Sequence, residues 1–164
     1  MKIWTVDDGK VFWTGKKVDD QKILEFQAAL FDLGSEYIED LDLIVEADEC
    51  PNEVLEVLAK WRPSDEDTTP RVQLLVTRLS DEGARILSGW NGNGGFGRLY
   101  LTELTELTDA GAQHLLNSGT CLIVSSKNLP ASALEILSQR EVDDPDDAED
   151  GKVVLKWLVP PWER

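Results

Sequence analysis

The sequence indicates an α/β domain made of several strand–helix units, with a parallel sheet on one side and helices on the other. Between Leu99 and Leu116, leucines alternate as in a strand and a turn then leads into a helix-like stretch. Similar units precede and follow it at a spacing of about 20 to 30 residues, which is typical of stacked repeats. A single unit cannot bury its apolar face alone, so we expect the units to stack into a short solenoid.

The chain begins with a predicted β-hairpin followed by a helix. Two apolar runs, Ile3 to Val6 and Val11 to Trp13, flank the turn at Asp8-Gly9, and Asp-Gly between such runs favours a hairpin. Apolar residues at helical spacing then follow an acidic turn and predict a helix that ends near Gly34. We expect residues 1–35 to cap one end of the core.

Residues 36–139 contain four predicted strand–helix units, of which the first is recognised from apolar spacing alone. In each unit an alternating strand leads through a turn into an apolar stripe at helical spacing. A polar stretch between prolines, Arg62 to Pro70, separates the first two units and predicts an exposed loop. The predicted inward strand positions are Leu41, Leu43 and Val45; Val72, Leu74 and Val76; Leu99 and Leu101; and Cys121 and Ile123.

The last part of the chain combines an acidic loop with a closing strand. Acids hold most positions from Glu141 to Asp150, a density that predicts a solvated loop over residues 140–151. The run from Lys152 to Val159 then alternates apolar residues until Pro160 and Pro161 stop it. We expect residues 152–164 to cap the other end of the sheet.

Composition limits the classes of partner. The 164 residues fit one domain, residues 1–164, and 32 acidic against 16 basic side chains give a formal charge of −16. This charge repels nucleic acids and anionic membranes and favours basic or neutral partners, so we expect another protein as the partner, with a basic patch as one option. The N-terminus lacks the apolar run of a secretory signal and no stretch is long enough to span a membrane, so we expect a cytoplasmic protein.

The chain offers no convincing catalytic, metal or cofactor motif. Gly92 to Gly97 satisfies GxGxxG, but it follows a predicted helix and precedes a strand, the reverse of a phosphate-binding loop. His114 is the single histidine, and Ser125-Ser126-Lys127 does not place its lysine as a base for a serine. The two cysteines have no CxxC spacing. We therefore predict a protein that is not an enzyme and needs no cofactor.

One unit resembles a known repeat family. The pattern LxxLxxLTDxGAxxL from Leu101 to Leu115 is similar to leucine-rich repeats, in particular the bacterial and cysteine-containing subtypes. The resemblance extends with departures over Val72 to Leu87 and Cys121 to Leu137, and more faintly over Leu41 to Leu58, giving three to four degenerate repeats. It implies a concave parallel sheet, convex helices and recognition of partners through exposed strand residues.

The strand positions between the inward residues are the predicted protein-binding residues. If Leu99 and Leu101 point inward, their neighbours in the strand point outward, and equivalent positions follow on the adjacent strands. This apolar stripe is either a recognition surface or is covered by the chain's own N-terminal elements. The predicted protein-binding residues are Gln73, Leu75, Tyr100, Thr102, Leu122 and Val124.

A second candidate surface is acidic and follows the first helix. It contains no lysine or arginine and could be a solvated face or a docking patch for a basic partner. Its residues are Glu36, Glu39, Asp40, Asp42, Glu46, Asp48 and Glu49. We therefore predict a protein–protein interaction module with an acidic surface. The alternative is an inhibitor or immunity-type protein that neutralises a basic enzyme such as a nuclease.

Overall fold

The computed structural model describes residues 4–7, 10–14, 20–35, 40–92, 97–140 and 152–155. Strands and helices alternate through these ranges. The strands are β1 (Trp4–Asp7), β2 (Lys10–Thr14), β3 (Asp40–Glu46), β4 (Thr69–Leu75), β5 (Arg98–Leu101), β6 (Cys121–Ser125) and β7 (Lys152–Leu155). The helices are α1 (Asp20–Leu33), α2 (Asn52–Lys60), α3 (Asp81–Ser88), α4 (Asp109–Leu116) and α5 (Ala131–Leu137).

The described strands form one sheet, in which their order is the same as their order along the chain. Each adjacent pair of strands from β2 to β6 is parallel, whereas the pairs at the two ends, β1 with β2 and β6 with β7, are antiparallel. A parallel step needs a crossover, and α1 to α4 supply the four crossovers from β2 to β6. The α/β class and the N-terminal hairpin are thereby confirmed.

The core lies between the sheet and the helices. On β3 the side chains of Leu41, Leu43 and Val45 are buried, while those of Asp42 and Ile44 between them are only half-buried. Strand β4 repeats this alternation. Because successive side chains point to opposite faces, one face of the sheet packs on the helices and the other forms an outer face. Helices α2 to α5 pack side by side along the inner face, each against the next.

Helices α3 and α4 begin with the same local structure. The hydroxyl oxygen of Ser80 accepts a hydrogen bond from the Gly83 amide at 3.0 Å, and that of Thr108 accepts one from the Gly111 amide at 3.0 Å. These caps satisfy amides that have no partner within the helix. A Cβ atom on Gly111 would lie 2.8 Å from Leu107 Cδ1. The turn therefore combines a cap with a closely packed position, where a larger residue would require the Leu107 side chain to shift.

Two buried tryptophans connect neighbouring units where helices end. The indole N–H of Trp61 donates to the Leu30 carbonyl in α1 at 3.0 Å, and that of Trp90 donates to the Trp61 carbonyl at 3.1 Å. The Leu30 carbonyl also accepts from the Gly34 amide at 3.0 Å, and the Trp61 carbonyl accepts from the Arg62 guanidinium at 2.6 Å. The indoles therefore add a second, buried donor from the next unit while their rings fill the core. The spacing from Trp61 to Trp90 is 29 residues.

A buried arginine, Arg140, donates hydrogen bonds to backbone carbonyls at the end of α4, as the two tryptophans do at the ends of α1 and α2. Arg140 is 2% exposed, and its guanidinium group donates hydrogen bonds to backbone carbonyls at the end of α4 and in the turn that follows. A guanidinium has five N–H donors in a fixed plane, which suits a group of converging carbonyls. The accepting carbonyls belong to Leu115, Leu116, Ser118 and Thr120.

The prediction of which side chains of β6 point towards the core is wrong by one residue. Leu99 is in register with Leu122, so Leu122 and Val124 are the inner-face residues of β6, and each is 0% exposed. Cys121 and Ile123 occupy the outer-face positions instead. Because the side-chain period of a strand is two, a shift of one residue exchanges the faces of the whole strand.

Two further predictions are corrected or limited by the structure. The loop predicted from Arg62 to Pro70 is too long, because β4 begins at Thr69 and Pro70 is in register with Leu41. The glycine-rich segment connects α3 to β5 as predicted. The hairpin turn at Asp8 and Gly9, residues 93–96 of the glycine-rich segment, 141–151 of the acidic loop and 156–164 after β7 lie outside the described residues.

We expect Leu122→Asp to unfold the protein. The change removes a fully buried leucine and places a carboxylate in the core, a loss of more than about 4 kcal/mol and comparable to the whole stability of a small domain. Circular dichroism and thermal denaturation measure the effect. The matched control is Gln73→Asp on the outer face, which we expect to change the unfolding free energy by less than about 1 kcal/mol. A folded Leu122→Asp variant with unchanged melting temperature would contradict the register.

Candidate protein-binding site

Four of the predicted binding residues lie together on the outer face of β4, β5 and the turn after β5. Gln73 and Tyr100 are cross-strand partners. Leu75 lies two residues after Gln73 and Thr102 lies two residues after Tyr100, so both occupy the next position on the outer face. All four side chains are half-buried. We call this set the outer-face block. It combines an aromatic ring, a leucine and two hydrogen-bonding side chains on neighbouring strands in the middle of the sheet, so its geometry is set by backbone pairing.

The row of outer-face positions continues on one side of the outer-face block and becomes buried on the other. Towards β3 its neighbour in register with Gln73 is Ile44, which is half-buried. Towards β6 the outer position in register with Tyr100 is Ile123, which is 3% exposed. Leu122 and Val124, predicted as part of the binding set, lie in the core and cannot contact a partner. The accessible part of the predicted stripe therefore ends at β5.

A salt bridge lies beside the outer-face block and changes the predicted acidic surface. Asp42 and Arg71 are cross-strand partners, and the guanidinium donates two hydrogen bonds to the carboxylate, at 2.7 Å and 2.9 Å. Such a bidentate pair neutralises the charge of Asp42 locally. Arg98 follows in the same row and is exposed. This row is thus not acidic. Because Arg71 pairs with Asp42, Asp42 does not contribute an unpaired charge to the acidic surface.

The acidic residues of the described chain gather where the parallel strands end. Glu46 ends β3, Asp48 and Glu49 follow it, and all three are exposed, as predicted for an acidic surface. Glu103 and Glu106 follow β5 and are also exposed, which brings them to the same end of the sheet. These two residues are far from the first group along the chain, so the run of acids in the sequence does not reveal them. We call Glu46, Asp48, Glu49, Glu103 and Glu106 the acidic edge.

Three predicted acidic residues remain untested. Glu36 and Glu39 lie outside the described residues. Asp40 begins β3, where its backbone pairs with Thr69.

Arg78 joins the two groups of the acidic edge. Its guanidinium donates to the Glu106 carboxylate at 2.8 Å and 3.3 Å and lies 3.9 Å from the Glu49 carboxylate. Isolated backbone bridges connect the same residues, Glu49 to Arg78 and Arg78 to Glu106. The hydrogen bond from Arg78 lowers the pKa of Glu106 below its usual value. Because the groups are exposed, this ion pair positions the edge more than it stabilises the fold.

The cysteine thiols do not form a reactive site. Cys50 is 3% exposed, and burial, followed by the nearby charge of Glu53, raises the pKa of its thiol from 9.0 to about 12. A thiol with such a pKa is protonated at neutral pH and is a poor nucleophile. Cys121 is also buried and reduced. Among the described side chains, no group of histidine, cysteine and acidic residues has the arrangement of a metal site.

The comparisons with known proteins do not assign a family. No protein-family model, curated protein or solved structure matches the chain. In the part of the chain that the structure describes, no helix is long and apolar enough to cross a membrane.

We expect Arg78→Gln to raise the pKa of Glu106 towards its usual value, measured by NMR titration of the side-chain carboxyl groups. In the native protein the folded-state pKa lies below the ordinary value of 4.5. The contribution of Glu106 to stability is therefore present above about pH 4.5 and is lost as the pH falls through the folded-state pKa. Glu82 provides a matched control, because a hydrogen bond from Arg85 lowers its pKa independently. An unchanged Glu106 titration, or an equal shift at Glu82, would contradict the assignment.

Proposed function

We propose that this chain is a short solenoid of the leucine-rich-repeat type that binds another protein through its outer-face block. In this proposal residues 1–35 and 152–164 act as caps of the repeat array. The order of the strands along the sheet supports the solenoid, since each parallel strand pairs with the next one in the chain. Antiparallel pairing at both ends of the sheet supports the caps, because it interrupts the parallel repetition there.

The observation that carries the binding proposal is the in-register placement of Gln73 and Tyr100, with Leu75 and Thr102 beside them. Tyrosine offers a large apolar ring and a hydroxyl group, and it is enriched in protein interfaces. The strands hold these side chains in fixed positions, so little conformational entropy is lost on binding. The acidic edge next to the block favours a partner with lysine and arginine around an apolar contact.

We expect Tyr100→Ala and Leu75→Asp each to weaken binding to the physiological partner at least about ten-fold without changing the fold. The measurement is affinity capture from the native cell with wild-type and variant chains in parallel, followed by mass spectrometry and a binding isotherm for each protein retained.

The control for this experiment is Gln113→Ala, an exposed position on α4 at the helix side of the domain. We expect it to bind as the wild type does. Circular dichroism and melting temperature establish that all three variants are folded. Retention of the same protein by Tyr100→Ala and Leu75→Asp, or its loss from Gln113→Ala, would contradict the proposed surface.

A second candidate function is suggested by the acidic edge, which places five exposed carboxylates along one end of the sheet, although Arg78 locally neutralises that of Glu106. An inhibitor or immunity-type protein that neutralises a basic enzyme presents carboxylates where the phosphates of the substrate would lie. Asp48 and Glu49 on one strand end and Glu103 and Glu106 on another provide such an array, with Arg78 as the one basic residue between them.

The two functions are distinguished by their dependence on salt. For an inhibitor that binds through the acidic edge, we expect affinity to fall more than about ten-fold between about 50 mM and about 300 mM NaCl. The double variant Glu46→Gln, Glu103→Gln would then reduce this dependence, and Tyr100→Ala would have a small effect. Affinity that is insensitive to salt but lost in Tyr100→Ala would exclude the inhibitor and favour the outer-face block.

A further inference from the structure

Helix α1 carries an exposed apolar stripe on the side facing away from the core. Leu24 is 59% exposed and Phe31 is 72% exposed, and among the described residues these are the exposed large apolar side chains. Ala28 between them is also exposed. Residues at positions i, i+4 and i+7 share one face of a helix, so these three form a continuous stripe. We call it the α1 stripe.

The α1 stripe is not needed for the packing of α1. Phe26, Leu30 and Leu33 on the opposite face are buried in the core and anchor the helix. The exposed positions of α2 and α3 are instead charged, as at Glu53, Glu56 and Lys60 on α2. Exposing a phenylalanine and a leucine side by side costs solubility without a compensating gain in stability, and such patches mark interaction sites.

Charged residues border the α1 stripe and indicate what would cover it. Asp20 and Gln27 lie on one flank of the exposed face. Glu25 and Asp32 lie on the other flank together with Gln21, whose amide donates to the Glu25 carboxylate at 3.2 Å. Lys22, the one basic residue of α1, is half-buried on the shoulder towards the core. An apolar stripe between acidic flanks is complementary to an amphipathic helix whose leucine-like side chains are flanked by lysine or arginine.

The same charges disfavour two other occupants of the α1 stripe, a second copy of the chain and an anionic membrane. A second copy of the chain would bring acidic flanks together, with a formal charge of −16 on each copy. An anionic membrane surface would be repelled for the same reason.

We infer that the α1 stripe is a second docking surface, separate from the outer-face block, for a basic amphipathic helix of a partner protein. This inference does not depend on the proposed function, because the surface belongs to a different element. In such a complex Phe31 and Leu24 contact the apolar side chains of the partner helix. Glu25 and Asp32 pair with its basic side chains at the rim.

The test uses two synthetic peptides of lysine and leucine with the same composition. In one the leucines lie on a single helical face, and in the other the order is scrambled so that no apolar face forms. Fluorescently labelled peptides are titrated with the full chain. We expect the amphipathic peptide to bind at least about ten-fold more tightly than the scrambled peptide, because both carry the same charge and only the first buries the stripe.

Three variants locate the binding. The double variant Leu24→Ser, Phe31→Ser should abolish the preference for the amphipathic peptide while the melting temperature is kept, since both side chains are exposed. Glu25→Gln with Asp32→Asn should weaken binding and reduce its dependence on salt. Tyr100→Ala should leave the preference unchanged, which separates this surface from the outer-face block.

The inference is overturned by any of three results. The first is equal binding of the two peptides, and the second is a preference that persists in Leu24→Ser, Phe31→Ser. The third is a dimer in sedimentation equilibrium that this double variant converts to a monomer, because the occupant would then be a second copy of the chain.

Discussion

In-register pairing of neighbouring parallel strands determines which side chains of this protein form the core and which face outward. Leu43, Val72, Leu99 and Leu122 lie in one row across the sheet, and each is buried against the helices. The next row, one residue along each strand, belongs to the outer face. The outer face and the core therefore share one register, and neither can shift without the other.

The helices keep this register because their ends are satisfied from neighbouring units. Trp61 and Trp90 donate indole N–H groups to carbonyls of the preceding unit, and Arg140 does the same for the end of α4. The caps of α3 and α4 are linked as well, since the Thr108 hydroxyl group donates to the Asp81 carboxylate. A buried polar group without a partner is costly, so these contacts fix the spacing of the units as well as their packing.

The surface divides into regions of different chemistry, which correspond to different kinds of contact. The outer-face block is mixed apolar and polar, the acidic edge is charged, and the α1 stripe is apolar with acidic flanks. The acidic residues of the edge and of the α1 flanks favour basic groups over a polyanion on electrostatic grounds. A partner that engaged the block and the stripe together would gain avidity, because the second contact would form within a complex that already exists.

Local patterns in the sequence were sufficient to identify the hairpin, the five helices, the parallel strands and the outward direction of Gln73, Leu75, Tyr100 and Thr102. These follow from periodicity and turn chemistry, which act over a few residues. The facing of β6 could not be read in this way, because Cys121, Leu122, Ile123 and Val124 are all apolar and a continuous apolar run contains no alternation. Pairing with β5 decides it, and that contact is made across the sheet.

The acidic surface divides in the same way between local and long-range effects. The acids near β3 are evident as a run in the sequence, but the neutralisation of Asp42 requires Arg71 from the next strand, and Glu103 and Glu106 join the edge only through the parallel arrangement of β3 and β5. Exposure of Leu24 and Phe31 was equally hidden, because an apolar residue in an amphipathic helix shows its environment only once the helix is packed. Sequence period thus sets the elements, and contacts between distant segments set the surface they present.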